Sequence, residues 1–255
     1  MISCKNFKLY NKDMTLSIDM YREDIWVEDV KIPAITPEHR SISLDDVDGS
    51  IYFSTYLKER PIKAFLQFEI VDGTSMTAYN RRISGLFNPM EHFYLVMDED
   101  PSIRYGVRIA KGFEIDELSW EDGKFELEFI MFNPSRESVN LIKKKITNSS
   151  FIFKNEGNRL IDPRNQSETE ITFKGASSNL TITNLTTGDA WKYNGNTSAN
   201  DTILLKDIQS FKNGTSIFKN TNHQILTLAV GNNEFIVSGA TGSFELVIST
   251  RFYFL

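Results

Sequence analysis

The stretch Gly123-Lys-Phe-Glu-Leu-Glu-Phe-Ile-Met131 decides the fold, because its side chains alternate in character along the chain. Phe125, Leu127, Phe129 and Met131 fall on one side, and the residues between them include Lys124, Glu126 and Glu128 on the other. Successive side chains of a β-strand point to opposite faces, so this stretch predicts a strand with one buried and one solvent-exposed face. The strand is expected to end at Asn133-Pro134, because proline cannot donate a hydrogen bond to a sheet.

One short amphipathic helix is predicted ahead of this strand. Met76, Tyr79, Ile83, Leu86 and Phe87 recur at helical spacing and form one apolar stripe, which we assign to the core. Thr74-Ser75 precedes the stripe and has the hydroxyl chemistry of a helix N-cap.

The rest of the first half is predicted to consist of short strands. The β-prone runs are residues 7–10, 16–20, 24–30, 41–50, 51–56, 62–70, 92–97 and 104–110. Asp48-Gly49 separates two of these runs and is a strong signal for a β-hairpin. Because strands on both sides of the helix carry apolar faces, the first half is predicted to be a β-sandwich with one short α-helix.

The second half has a different composition and is predicted to be a second domain. Periodicity stops within Asn133–Leu141, after which charges thin out and Asn and Thr become frequent, so we expect domains at 1–140 and 146–255. The predicted strands there are residues 150–153, 168–173, 180–185, 190–193, 202–205, 224–230, 234–237 and 243–254. Many short strands separated by Gly and Asn turns are typical of a β-sandwich or jelly roll, so the whole chain is predicted to be mostly β.

Charge and cysteine content limit the possible environments and partners. The chain has 255 residues, a net charge of −6 and one cysteine, Cys4, so no intrachain disulfide can form. Residues 1–145 carry 19 Lys and Arg against 25 Asp and Glu, which gives a net charge of −6 for that half. An acidic half disfavours tight or sequence-specific binding of nucleic acid. The sequence shows neither a leader peptide nor a long apolar run, so we expect synthesis in the cytoplasm and no membrane partner.

No pattern of reactive residues predicts an enzyme, a metal site or a cofactor site. His39, His92 and His223 lie in separate segments, without Cys or carboxylates at metal-ligand spacing. Phosphate-binding loops and nucleophile elbows are not found either. A glycosidase whose carboxylate pair is brought together only by the fold stays open as an alternative.

Two aromatic residues of the second half allow two interpretations. Trp191 and Tyr193 are expected to point to the same side of one strand. Exposed in a groove, they could stack on sugar rings, which would make the second domain a carbohydrate-binding module for cell-wall glycan. Buried, they fill the core of the sandwich, and this second interpretation is favoured.

The order of several motifs resembles the distal tail protein family of long-tailed phages. The motifs in the first half are Arg82-Ile-Ser-Gly-Leu-Phe, Phe93-Tyr-Leu-Val-Met-Asp-Glu-Asp-Pro, Arg104-Tyr-Gly-Val-Arg-Ile, Gly112-Phe-Glu-Ile-Asp-Glu-Leu and Gly123-Lys-Phe-Glu-Leu-Glu-Phe. Those in the second half are Phe153-Lys-Asn-Glu-Gly, Asp162-Pro-Arg, Leu180-Thr-Ile-Thr-Asn-Leu-Thr-Thr-Gly and Leu228-Ala-Val-Gly-Asn-Asn-Glu-Phe-Ile-Val-Ser-Gly. Members of this family are often encoded by prophages of Gram-positive bacteria, and their second domain is galectin-like.

The resemblance implies a structural protein of the virion tail tip rather than an enzyme. Six first domains would close a homo-oligomeric ring that joins the tail tube protein to the baseplate hub or tail-associated lysin. The second domains would project outward and carry receptor-binding proteins or contact cell-wall sugar. On this view the hairpin around Asp48-Gly49, with Tyr52, Phe53 and Tyr56, is an arm that contacts a neighbouring copy.

Overall fold

The computed structural model describes residues 5–15, 17–46, 48–165 and 167–255, and the chain divides into two compact units. Unit 1 comprises Met1–Glu137 together with Leu255, and unit 2 comprises Ser138–Phe254. The division therefore falls inside the stretch Asn133–Leu141, where the hydrophobic periodicity of the sequence stops.

Unit 1 is built from antiparallel strands and one α-helix. The strands are β1 (Phe7–Tyr10), β2 (Ser17–Asp19), β3 (Ile25–Lys31), β4 (Pro37–Ile42), β5 (Ile51–Leu57), β6 (Arg60–Glu69), β7 (Phe93–Met97), β8 (Asp100–Ile109), β9 (Ile115–Glu117) and β10 (Asp122–Met131). A short 3-10 helix covers Met20–Glu23 and α1 covers Met76–Leu86. Strand β11 (Arg136–Ser138) lies at the division between the units.

The strands of unit 1 enclose one hydrophobic core. Their order is β2-β1-β7-β8-β10-β6-β3, and β9 pairs with β10. Phe7 of β1 contacts Phe129 of β10 edge to face, with ring centroids 6.2 Å apart. Because β7 and β8 separate these two strands in the sheet order, the sheet folds over and its two halves face each other across the core, as in a β-sandwich.

The alternating strand is placed as predicted. Phe125, Leu127, Phe129 and Met131 of β10 are all buried in the core. Strand β10 pairs with β6 along its whole length, from Asp122 opposite Glu69 to Met131 opposite Arg60. The two strands thus contribute one apolar face together.

Helix α1 covers one side of this core. Its N-cap is Ser75, whose side-chain oxygen accepts a hydrogen bond from the backbone N–H of Ala78, as the sequence predicts. Tyr79 and Ile83 are its buried residues, and the ring of Tyr79 stacks on Phe68 of β6 at 4.6 Å.

Unit 2 is a nine-stranded antiparallel sheet with its own core. Its strands are β12 (Ile142–Ile146), β13 (Ser150–Asn155), β14 (Glu170–Asn184), β15 (Asp189–Lys192), β16 (Asn196–Thr197), β17 (Thr202–Lys206), β18 (Gln209–Lys212), β19 (Thr215–Ser216) and β20 (Gly231–Thr250), and a short β21 (Tyr253–Phe254) follows. Short 3-10 helices cover Pro163–Asn165 and Phe218–Asn220.

Two long strands run through both layers of unit 2. Along β14 the buried side changes from the odd residues before Ser178 to the even residues from Leu180 onward, because bulges interrupt its register with β20. Such bulges let one strand serve two packed layers. Each long strand was predicted as two separate strands, so those boundaries were wrong.

The strand predicted at 224–230 is also wrong. This segment is irregular, and Leu228 forms an isolated bridge with Ile161. The predicted fold class is nevertheless confirmed: the chain is mostly β, with one α-helix among the described residues and two β-sandwich units.

Candidate assembly surfaces

The hairpin of β4 and β5 is the most exposed regular structure of unit 1. These strands form a two-stranded antiparallel sheet of their own, from Pro37 opposite Leu57 to Ile42 opposite Ile51. Tyr52 is 60% exposed and Phe53 63% exposed, which is far from the burial usual for aromatic side chains.

The sequence prediction of this hairpin was correct in kind but not in its boundaries. Strand β4 begins at Pro37, four residues before the β-prone run predicted at 41–50, and ends at Ile42. The connection therefore spans residues 43–50 rather than a two-residue Asp48-Gly49 turn. Gly49 has a φ of +87°, which glycine adopts without strain. Val47 lies outside the described residues.

The three aromatic residues predicted to contact a neighbour do not share one face. The Tyr52 hydroxyl lies 2.8 Å from Thr55 Oγ1, which also contacts His39 Nδ1 at 2.7 Å, so these side chains lie on one face. Tyr56 lies on the other face, where the guanidinium of Arg40 stacks 5.2 Å from its ring. A bulge between Arg40 and Ser41 leaves Phe53 unpaired. Both faces of the hairpin are consequently available for contact.

The hairpin takes no part in the hydrophobic core. Among the described residues 37–46 and 48–57 none is buried, and none belongs to the core cluster of unit 1. A two-stranded hairpin without further packing is at best marginally stable in water. Its exposed apolar side chains make the hairpin a candidate surface for contact with another protein.

A second exposed apolar surface was missed in the sequence. We name it the Trp120 tip; it consists of Val71, Leu118 and Trp120, and Trp120 is 77% exposed. It lies in the connection between β9 and β10 and beside the end of β6. The available signal was a tryptophan flanked by acidic residues in Glu117-Leu-Ser-Trp-Glu-Asp122, just before the alternating strand.

The wet face of β6 and β10 is covered by paired charges. Lys63 Nζ lies 2.7 Å from Glu126 Oε1 and 3.5 Å from Glu128 Oε2, and Lys111 Nζ lies 2.8 Å from Glu128 Oε2. The hydrogen bond from Lys111 lowers the pKa of Glu128, and the one to Glu126 raises the pKa of Lys63. This face is therefore a solvated ion-pair network, which the alternating sequence had predicted as the polar side.

Trp191 and Tyr193 do not form an accessible sugar-binding surface. Trp191 is 2% exposed and Tyr193 is also buried, and both belong to the core of unit 2. The indole Nε1–H of Trp191 donates to Ser210 Oγ at 3.2 Å, so even its polar edge is satisfied internally. The suggested glycan contact at these two residues is corrected: Trp191 of β15 and Tyr193, which follows this strand, both have their rings buried, as the favoured interpretation held.

The described part of the chain shows neither a metal-ligand cluster nor a membrane-spanning helix. No group of three or more His, Cys, Asp or Glu side chains converges within residues 5–15, 17–46, 48–165 and 167–255. Over the same residues, α1 and the short 3-10 helices lack the length and apolar character needed to cross a bilayer.

Comparison with known families matches residues 13–131 to the phage tail protein RIFT-related domain. This range begins in the turn between β1 and β2 and ends at the last residue of β10, and it includes the hairpin and the Trp120 tip. Comparison with curated proteins gives no match.

Solved structures with the same fold come from phage tails. The Dit protein (gp 19.1) of phage SPP1, described as a paradigm of the hub adsorption apparatus in phages that infect Gram-positive bacteria, superposes with a TM-score of 0.74 at 18% identity. The match covers 96% of this chain and 99% of the SPP1 protein. A chain of the phage P2 baseplate, in its activated conformation with Ca, gives a TM-score of 0.50 at 11% identity and covers 96% of this chain and 97% of its own length.

Proposed function

We propose that the chain is a ring-forming component of the tail tip, from the premise that residues 13–131 match the phage tail protein RIFT-related domain and that the chain shares the fold of the SPP1 Dit protein. In this proposal the first units of six copies associate side by side. The ring joins the tail tube protein to the baseplate hub or tail-associated lysin. The second units extend from the ring and carry proteins that adhere to the host.

The single observation that supports ring formation best is the unpacked hairpin of β4 and β5. An exposed two-stranded sheet with Tyr52, Phe53 and Tyr56 in contact with water is stabilised if a neighbouring copy covers it. The hairpin extends from one copy to a different surface of the next, so the contact is heterologous, and heterologous contacts close into rings.

A carbohydrate-binding function is less well supported. It depended on an aromatic platform at Trp191 and Tyr193, and both rings are buried. We therefore assign host contact to proteins carried by the second unit and not to these two side chains. A pull-down of residues 138–255 with purified cell wall is expected to retain no more protein than beads alone.

Light scattering of the whole chain after size-exclusion chromatography tests the proposal. We expect a concentration-dependent assembly for the native sequence. Substituting the hairpin aromatics together (Tyr52→Ser, Phe53→Ser and Tyr56→Ser) is expected to shift the protein to single chains without a change in circular dichroism. A native chain that elutes as a monomer at every concentration contradicts the proposal.

A further inference from the structure

Unit 1 carries two complementary surfaces at opposite ends of the same strand pair. We propose that the Trp120 tip of one copy inserts into a pocket at the other end of unit 1 in the next copy. We name this pocket the proline pocket; it is lined by Lys31, Ile32, Pro33, Pro61 and Lys63. This inference rests on the proposed ring and names the contact that orients each copy relative to the next.

The Trp120 tip is exposed but held in one conformation. The backbone N–H of Leu118 donates to the carbonyl of Asp122 at 2.9 Å, and the Ser119 hydroxyl donates to the Asp122 carboxylate at 2.8 Å. The N–H of Ile70 donates to the Glu121 carbonyl at 2.8 Å, which fixes the turn to the end of β6. An indole presented by an ordered turn loses little conformational entropy on binding, which favours its use as an anchor.

The sequence around the tip is rich in carboxylates that have no ion-pair partner among the described residues. Glu114, Asp116, Glu117 and Glu121 flank Trp120 in the sequence, and none of them forms an ion pair with another described residue, although Lys124 of β10 stands opposite Asp116 of β9. Excess carboxylates around an apolar knob select a partner surface that is apolar and bears cations. They also disfavour contact between two such tips.

The proline pocket has the matching properties. Its volume is about 500 Å³, and Ile32, Pro33 and Pro61 supply apolar walls. The pocket is open to solvent and lined by five residues, so an indole ring can lie against its apolar walls without entering a closed cavity. Lys31 stands at its edge, 4.7 Å above the ring of Phe65, and forms no ion pair with a described carboxylate.

The two surfaces lie at opposite ends of β6, which determines how copies associate. Pro61 pairs with Ile130 at one end of the β6–β10 ladder, and Glu69 pairs with Asp122 at the other. A strand of this length spans about 30 Å. A knob and a pocket that are separated in this way cannot meet within one subunit, and contacts that run head to tail between successive subunits generate rings when the rotation closes.

The position of the hairpin identifies a second copy as the occupant of the pocket. Pro33 is followed four residues later by β4, and β5 ends four residues before Pro61, so the hairpin extends from the rim of the pocket. Its base is closed by a hydrogen bond from Lys58 N–H to the Thr36 carbonyl at 3.0 Å. A copy whose tip enters the pocket is therefore in reach of the same hairpin that the ring requires to be covered.

Disulfide trapping in the full-length protein tests the contact directly. In a Cys4→Ser background, Leu118→Cys, which keeps the Trp120 indole, and Pro61→Cys on the same chain are expected to yield a ladder of covalently linked copies under mild oxidation. Either substitution alone is expected to leave the ladder absent. In parallel, Trp120→Ala in the native background is expected to raise the concentration needed for assembly at least about tenfold, because it removes a central aromatic anchor.

Two further variants provide a control and a charge test. Met90→Ala removes an equally exposed apolar side chain outside both surfaces and is expected to leave assembly unchanged. Lys31→Glu is expected to weaken assembly, and Glu117→Lys on the same chain is expected to restore part of it.

The possible failures can be told apart. The inference is overturned, while the ring proposal stands, if three results coincide. The native chain assembles, the Trp120→Ala variant assembles equally well, and the double-cysteine variant gives no cross-linked ladder. If Trp120→Ala leaves the ring intact but abolishes binding of a purified tail protein, that protein is the occupant and a second copy is not. If the native chain remains monomeric at every concentration, the ring proposal fails and this contact fails with it.

Discussion

Gly239 faces Asn179 so closely that a β-carbon on Gly239 would lie 2.7 Å from the Asn179 carbonyl oxygen. Both residues have left-handed backbone conformations, with φ of +83° for Gly239 and 52° for Asn179. The pair marks the place where the two longest strands of unit 2, β14 and β20, change register and pass from one layer to the other. Close backbone approach at this point lets two continuous strands build both layers of the sandwich.

Substituting Gly239 is expected to destabilise unit 2 strongly. Gly239→Ala combines an unfavourable φ with a clash against two carbonyl oxygens, so we expect the free energy of unfolding to fall by about 2–3 kcal/mol. Gly188→Ala is the matched control, because Gly188 also has a positive φ of +79° but a β-carbon added there would meet nothing within 4 Å. It is expected to cost only about 1 kcal/mol. Urea unfolding of both variants decides the point, and equal losses would contradict the close-approach explanation.

Arg104 is expected to be a critical buried charge of unit 1. It is 1% exposed, its guanidinium stacks 3.7 Å from the centre of the Tyr94 ring, and its Nη2 lies 2.7 Å from Glu137 Oε2. Glu137→Ala leaves this cation without its carboxylate, so we expect a loss of about 3–5 kcal/mol in thermal or urea unfolding.

The matched control for Glu137 is an exposed ion pair. Glu23 accepts from Arg82 at 2.8 Å, but the Arg82 side chain is 44% exposed to solvent, whereas that of Arg104 is buried. Glu23→Ala is expected to cost no more than about 1 kcal/mol. If the two substitutions lower the free energy of unfolding by similar amounts, burial of Arg104 is not the reason why its ion pair stabilises the fold.

The hairpin is expected to contribute to assembly and not to the stability of a single chain. Phe53→Ser removes an exposed ring at the bulge of β5. The free energy of unfolding of the monomer is therefore expected to change by less than about 0.5 kcal/mol. The concentration for half-assembly is expected to rise at least about tenfold. Sedimentation velocity over a dilution series measures the second quantity, and an unchanged profile would argue against the hairpin as an interface.

Asp162 and Arg164 are expected to make the stability of unit 2 depend on acid pH. Two hydrogen bonds from the Arg164 side chain, Nε to Oδ1 at 2.9 Å and Nη2 to Oδ2 at 2.8 Å, lower the pKa of Asp162. A lowered pKa stabilises the fold fully above the ordinary aspartate value of about 3.9, and this contribution is lost as pH falls through the lowered pKa.

The substitution Asp162→Asn tests this dependence. The variant is expected to unfold more easily than the native chain at neutral pH, by about 1 kcal/mol, since Arg164 remains largely exposed and solvent screens the pair. The difference between the two proteins is expected to shrink as pH falls below about 3.9. A difference that stays constant down to the acid limit would rule out ionisation of Asp162 as its cause.

The parts of the fold that follow from local chemistry could be predicted from the sequence. Strand β10 was evident because its apolar residues alternate with charges, and α1 was evident because its apolar stripe follows the Ser75 cap. The resemblance to the distal tail proteins agrees with the match of residues 13–131 to the phage tail protein RIFT-related domain and with the fold that the chain shares with the SPP1 Dit protein. These features depend on neighbouring residues or on motif order, both of which a sequence displays.

Other features depend on tertiary contacts and could not be predicted. Residues 174–179 were left between two predicted strands, yet pairing with β20 keeps β14 continuous across them. Residues 224–230 are apolar and β-prone, but only Leu228 finds a bridging partner. Trp120 is exposed because it lies in a turn beyond the end of the sheet. Trp191 also has a charged residue as its neighbour in the sequence, yet it is buried. Composition alone does not separate these two tryptophans.

Native mass spectrometry of the purified full-length chain, combined with negative-stain electron microscopy, tests the central claim most directly. We expect a species of about six times the 29.3 kDa chain mass and closed rings with sixfold symmetry in the images. A single species of 29.3 kDa at every accessible concentration, without rings in the images, would contradict the account.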